Sequence, residues 1–257
     1  MNDTIKLIMG RKSIRAFTDD EIPEDIKSKL LEATLRAPTA GNMMLYSIMD
    51  IKDQAIKETL VKTCDNQPFI ARAPMVWVFL ADYQRWFDYF LHSSVESLCE
   101  DKGLKLRKPE EGDLFLACCD ALIAAQNAVI AAESFGIGSC YIGDVMENYE
   151  IHKDLFELPQ YTFPICMLVF GYPTKQQLDR GLTTRLPEEL IFFENKYKRL
   201  SSNEFKRMYE DRHVPQGGKS DGITSFGQHM YLRKFSSDFS IEMSRSVRAM
   251  LKAWNEY

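Results

Sequence analysis

The chain has 257 residues, with 45% hydrophobic, 12% aromatic and 27% charged side chains, and a net charge of −5 from 32 Lys and Arg against 37 Asp and Glu. This is ordinary globular usage, enough to bury a full core, and the length suits one core with extensions. The negative balance argues against a protein that tracks nucleic-acid phosphates, so any anion site has to be a local basic cluster.

The longest apolar stretch begins at Leu114 and is interrupted by Asp120, Gln126 and Asn127, so it falls short of the expectation for a membrane span. The N-terminus has no apolar core of a secretory signal, and a cytoplasmic location is expected. Six cysteines occur without a Cys-x-x-Cys pair, and the four histidines are far apart, so no metal site is expected. Cys118 and Cys119 sit in a helical pattern and read as small buried hydrophobes.

In chain order, Pro23, Glu24 and Asp25 open a helix whose apolar positions Ile26, Leu30, Leu31 and Leu35 keep helical spacing up to the breaker Pro38. Residues 46–51 read as a strand, 54–64 as a helix and 74–81 as a buried strand. A helix is expected over 84–98, followed by a charged, Gly- and Pro-bearing loop over 99–113 that suits a lid. From Leu114 to Phe135 the Ala-rich run predicts a long central helix buried on all sides. A strand at 139–142, a helix at 148–156 and a strong strand at 163–170 follow. The core is placed at 1–175 and an extension at 176–257, packing on the core or a partner subunit. That extension holds a loop through Arg185, a charged helical stretch over 188–212, a Gly-rich break at 216–222 and a terminal helix over 241–254. It cannot bury Phe226, Tyr231, Phe235 and Phe239 by itself.

The densest chemical signal is Arg11, Lys12, Ser13, Ile14 and Arg15, which reads either as an anion cradle or as a solvated charge run. Residues 37–42, Ala-Pro-Thr-Ala-Gly-Asn, could let a planar ligand approach the backbone, or could simply stop a helix. Residues 136–143 carry glycines at the wrong offset for a dinucleotide fingerprint and follow a helix, which rejects a Rossmann site. No P-loop, nucleophile elbow or zincin motif occurs, and no nucleophile sits with its base.

Taken together, these segments resemble the flavin-dependent nitroreductase family, in its flavin reductase and oxygen-insensitive nitroreductase branch. The resemblance covers nearly the whole chain and is carried by residues 11–15, 37–42, Asn66-Gln67-Pro68-Phe69, 138–143, Phe-Gly-Tyr-Pro at 170–173 and Thr-Arg-Leu-Pro at 184–187. It implies an α+β fold, a three-layer α/β/α sandwich around a mixed, mainly antiparallel sheet, with the extension wrapping a homodimer. It also implies FMN as cofactor, with NAD(P)H as donor and nitroaromatic, quinone or flavin acceptors in ping-pong turnover. By the resemblance, Arg11, Lys12, Ser13 and Arg15 would hold the FMN phosphate and ribityl chain, with Arg185 adding a cation. Thr39 and Gln67 would contact the flavin, with Asn42, Pro68 and Phe69 adjacent. Tyr141, Ile142, Gly143 and Asp144 would run along the ring, a backbone N–H of Gly143 or Asp144 lying near flavin N5. The site would lie at the dimer interface. Two departures stand out: Thr183 where the branch often has Lys, and Arg11 where it often has His. The rival readings are a flavin-binding carrier or redox sensor, and a dehalogenating or flavin-degrading relative on the same fold.

Overall fold

In the computed structural model, which describes residues 1–208 and 222–256, helix α1 (Asp3–Gly10) starts at Asn2, whose side chain accepts a hydrogen bond from the Ile5 amide at 3.0 Å. Helix α2 (Glu24–Leu35) begins after Pro23 with two carboxylates in its first turn, and ends before Pro38. There follow strand β1 (Tyr46–Asp50), helices α3 (Gln54–Thr63) and α4 (Phe69–Arg72), and strand β2 (Met75–Asp82). Helices α5 (Gln84–His92) and α6 (Val95–Asp101) replace the single helix expected over 84–98. The break is at Ser94, whose φ of 57° no helix interior accepts. The charged loop is accordingly shorter than expected, because Cys99–Asp101 complete α6.

Helix α7 (Glu111–Ser134) is closed at its start by a reciprocal capping pair, Glu110 and Asp113, and Asp113 also pairs with Arg107. After it come strand β3 (Gly138–Ile142), helix α8 (Tyr149–Leu155), strand β4 (Thr162–Gly171) and the short helix α9 (Lys175–Leu178). The charged stretch expected to be helical over 188–212 contains only a 3₁₀ turn at Glu188–Leu190 and helix α10 (Ser202–Arg207); positions 209–212 and most of the Gly-rich break lie outside the described residues. Helix α11 (Phe226–Met230), a π turn at Tyr231–Phe235 and helix α12 (Asp238–Trp254) finish the chain. The chain divides into two compact units, Met1–Arg180 with Glu242–Tyr257, and Gly181–Ile241. Most of the terminal helix, read from sequence as part of the extension, therefore belongs with the core. In the second unit Tyr231 and Phe235 stay exposed.

The strands form one antiparallel sheet in the order β1-β2-β4-β3, so the α+β reading holds. A parallel bridge between Ser13 and Ser139 makes the sheet mixed at its β3 edge. β2 and β4 are central and covered on both faces, which is why their sequences run apolar without alternation. Trp77, Phe79, Leu168 and Phe170 meet α2 and the Ala-rich side of α7; Val76, Val78, Met167 and Val169 meet Leu60 and Ile70 of α3 and α4. Pro164 sits beside the register shift at Phe79/Leu80, where a missing N–H costs the ladder least. Met250 and Trp254 of α12 are buried with Tyr161 and Phe163.

Two expectations about α7 are corrected. It is not buried on all sides: Phe115, Leu116, Leu122 and Ile123 are exposed, and so is Cys119 beside the half-buried Cys118. It is also long and apolar enough by length and composition to cross a membrane, despite the interruptions. Its small face, Ala117, Ala121, Ala124, Ala125, Ala128 and Ala132, is fully buried, and that packing accounts for the composition.

Candidate functional site

Arg11 caps the end of α1, and the chain then runs extended past the sheet edge. The Ile14 amide donates to Ser139 O at 2.9 Å, the Thr18 amide to Tyr172 O at 2.9 Å, and the Thr174 amide to Ala16 O at 3.2 Å. Extended backbone alternates its side chains, so burying Ile14, 2% exposed, turns Ser13 and Arg15 the other way. The contact is so close that a Cβ on Gly138 would lie 2.4 Å from Ile14 Cγ1, and only glycine admits the cradle segment there. Among the described residues, no carboxylate pairs with Arg11, Lys12 or Arg15.

Lys12 is placed differently from its neighbours. Its Nζ donates to Leu178 O at 2.6 Å and to Arg180 O, tying the end of α9 to the cradle. Arg180, which sequence reasoning did not single out, returns the contact. It donates from Nη2 to Ser13 O at 3.1 Å and from Nη1 to Gln177 Oε1 at 3.0 Å, and the same Gln177 oxygen accepts from the Arg15 amide at 3.3 Å. The Cys140 thiol lies beneath this cluster. Burial pushes its pKa up, against the pull of Arg15, Ser13 and Arg11. Ser139 Oγ is buried without a hydrogen-bond partner among the described residues.

The 37–45 segment is held by a different device. Asp120, 3% exposed in the middle of α7, accepts from the Thr39 hydroxyl, from the Ala40 amide at 3.0 Å and from the Leu45 amide at 3.1 Å. Thr39 Oγ1 in turn accepts from the Met44 amide at 2.8 Å, so its hydroxyl is already engaged. The loop bends through left-handed backbone at Gly41, Asn42 and Met44, with φ of 56°, 58° and 52°. Beside it an open depression of about 310 Å³ is lined by Arg36, Pro38, Thr39 and Asn42 among others. Among the described residues, no hydrogen bond links this loop to the 11–15 cradle.

Gln67 and Asp144, far apart in sequence, are joined. Gln67 Nε2 donates to Asp144 Oδ2 at 2.8 Å and to Cys64 O at 3.0 Å. Pro68 caps α4 and is exposed, whereas Phe69 packs on the core. Tyr141 is half-buried with its hydroxyl 3.3 Å from Gln126 Oε1, and Ile142, the last residue of β3, is 1% exposed, so at that position only the backbone can face a ligand. Gly143 precedes a 3₁₀ turn, Asp144–Met146, that leads to Glu147. Glu147 is 4% exposed, and one of its carboxylate oxygens has no hydrogen-bond partner among the described residues. Burial first, then the neighbouring carboxylates Asp144, Asp65 and Glu242, push its pKa from the ordinary 4.5 up to about 8. The folded protein thus favours the protonated form of Glu147.

The first unit thus assembles Arg11, Lys12, Ser13 and Arg15 with Tyr141, Ile142, Gly143, Asp144 and Gln67 along one edge, through the Ser13–Ser139 bridge and the Gln67–Asp144 bond. Thr39 and Asn42 belong to a separate loop. Arg185 and Thr183 are exposed residues of the second unit. Arg180, Gln177, Asp120 and Glu147 carried weak signals in the sequence; Asp120 showed only as a charge interrupting an apolar helix.

Residues 8–172 match the nitroreductase family. The chain is 33% identical over 210 residues to the oxygen-insensitive NADPH nitroreductase of Salmonella typhimurium, covering 82% of this chain and 81% of that one. It is 31% identical over 208 residues to the FMN reductase (NADPH) of Bacillus subtilis, covering 80% and 78%. Nitroreductase A from Vibrio parahaemolyticus superimposes with a TM-score of 0.80 over 100% of both chains at 25% identity. An aligned length this complete, together with the sheet order and the edge constellation, leaves one conclusion: the chain belongs to the nitroreductase family.

Proposed function

We propose that this protein is an FMN-dependent oxidoreductase that takes reducing equivalents from NAD(P)H and passes them, in ping-pong turnover, to nitroaromatic, quinone or flavin acceptors. The observation that carries the reading is the group of cations beside Ser13, none of which has a salt-bridged carboxylate among the described residues although Glu133 acts on Arg11 and Lys12 through space, joined through β3 to the Gly143–Asp144 backbone and Gln67. Such a donor set fits a phosphate at one end and a flat polar ring at the other. FMN, when bound, supplies the redox chemistry that the side chains lack. The chain's residues hold the phosphate with Arg11, Ser13 and Arg15, offer backbone N–H groups at Gly143 and Asp144, and orient Gln67 through Asp144. The names of the Salmonella and Bacillus relatives support NADPH as a donor and FMN as a bound species.

The proposal includes a homodimer in the cytoplasm, with Thr39, Asn42 and Arg185 completing sites at the interface. Phe115, Leu116, Cys119, Leu122 and Ile123 form an exposed apolar stripe along one side of α7, which a second copy would cover. The absorbance spectrum of the purified protein tests the cofactor: flavin bands bleached by NADPH or NADH and restored by a quinone are expected. Flavin bands that neither nucleotide bleaches would assign a carrier instead. Light scattering showing a stable flavin-loaded monomer would remove the dimer.

A further inference from the structure

We infer that Arg180 is an additional phosphate-binding cation of the cradle, presented to the ligand by Gln177 and Lys12. The inference rests on the FMN reading above and names a residue that reading does not require.

Arg180 stands at the end of the first unit, just after α9, and its guanidinium is fixed rather than trailing in solvent. Nη2 donates to the Ser13 carbonyl and Nη1 to the Gln177 amide oxygen. Its own carbonyl accepts from Lys12 Nζ, so the residue is gripped at both ends by the segment that carries the other cations. Gln177 also takes the Arg15 amide, which sets Arg15 and Arg180 on either side of one acceptor. Both acceptors of the guanidinium are neutral. Among the described residues no carboxylate pairs with it, so its full charge, its Nε–H and one N–H on each terminal nitrogen remain for an anion.

A purely structural tie between α9 and the cradle would not need a cation here. Lys12 already bonds Leu178 O and Arg180 O, and Thr174 bonds Ala16 O. Arg180, bonded to the Ser13 carbonyl, adds a further guanidinium to the segment that carries Arg11 and Arg15, and a phosphate dianion bound there would offset that added charge. A flavin without its phosphate would gain nothing from it. That difference separates a binding role from a bracing one.

The test compares FMN with riboflavin, by flavin fluorescence titration of the apoprotein at low salt, in wild type, Arg180→Ala and Arg180→Lys. Arg180→Ala is expected to weaken FMN about tenfold while leaving riboflavin unchanged, and Arg180→Lys to recover part of the loss. The FMN difference should shrink as salt is added. Equal weakening of both flavins, or no change in either, would overturn the inference and leave Arg180 as a brace. A wild-type protein that does not prefer FMN over riboflavin would instead refute the FMN reading itself. Thermal melts of each variant keep a folding defect distinct from a binding one.

Discussion

The 11–18 segment and the 37–45 segment are both irregular, both pinned to regular structure by hydrogen bonds, and both flagged in the sequence, yet they use charge in opposite ways. The 37–45 segment is held by the buried carboxylate of Asp120 on α7, whose acceptor capacity the backbone amides of Ala40 and Leu45 and the Thr39 hydroxyl consume, while Arg85 Nη1 reaches the Met44 carbonyl at 3.5 Å. In the 11–18 segment the backbone is pinned by neutral amides and carbonyls, Lys12 and Arg180 bond neutral oxygens, and among the described residues no cation there is salt-bridged to a carboxylate. The first arrangement spends its charge on holding a loop; the second keeps its charge for a ligand.

On that contrast, Asp120→Ala should produce a larger effect than any change in the cradle, and on stability rather than on cofactor binding alone. Removing a buried acceptor strands two amides and a hydroxyl, which costs about 3 kcal/mol. Chemical denaturation should show the loss, and Asp120→Asn, which keeps the shape and one acceptor, should lose less. A stable Asp120→Ala protein would mean that water replaces the carboxylate and that the loop is not held by it.

The opposite end of the cradle edge carries a second buried carboxylate, and its proton is the next lever. Because the pKa of Glu147 rises from 4.5 to about 8 on folding, the folded state keeps a proton that the unfolded state loses above its ordinary value. The folded form therefore binds more protons throughout that window. Stability should fall as pH rises from about 5 toward 8 and level off above it, by something on the order of 2 kcal/mol once sharing of the proton with Asp144 is allowed for. Glu147→Gln should flatten this slope and be the more stable protein at pH 8. Identical pH dependence of the melting temperature in both would show that Glu147 ionises normally.

Much of the fold was legible because the signals were local. The period of Ile26 and Leu30 in α2, and the unbroken apolar runs of β2 and β4, follow directly from burial on one stripe or on two faces. The break at Ser94 was not legible, since a serine in left-handed conformation has no compositional mark. The site split in the same way. Arg11 to Arg15 could be read as a cluster because its charges are adjacent. Arg180 and Gln177 join it only through bonds spanning more than 160 positions, and the Thr39–Asp120 bond spans 81. Pairings of that range have no periodicity to betray them. The exposed side of α7 was misread for a related reason: alanine and leucine look alike to a composition argument, while the side of α7 that sits against the sheet is made mostly of small alanines, with Val129 among them.

Within the cradle, Arg15→Ala should weaken FMN by about 2 kcal/mol, the worth of a charge-assisted bond to a phosphate, with riboflavin unaffected. Unchanged FMN affinity, measured by calorimetry, would return residues 11–15 to an ordinary solvated charge run.

Lys12 should matter least, and the reason is geometric. The resemblance placed it on the phosphate beside Arg15, but its ammonium is aimed at the Leu178 and Arg180 carbonyls. A lysine so engaged still contributes its charge through space, and in a solvent-facing cluster that contribution is below about 1 kcal/mol and fades within a Debye length. Lys12→Ala should therefore weaken FMN less than Arg15→Ala at low salt, and the two should differ in how they do it. Arg15→Ala removes a contact as well as a charge, so its deficit should shrink with added salt but not vanish. The Lys12→Ala deficit should largely disappear at high salt, apart from any loosening of Arg180, which Lys12→Gln would partly restore by keeping a donor near the same carbonyls. If Lys12→Ala instead weakens FMN as much as Arg15→Ala, and the loss persists at high salt, then Lys12 leaves those carbonyls when the cofactor binds, and the division between charges that hold the chain and charges that hold the ligand does not run through this residue.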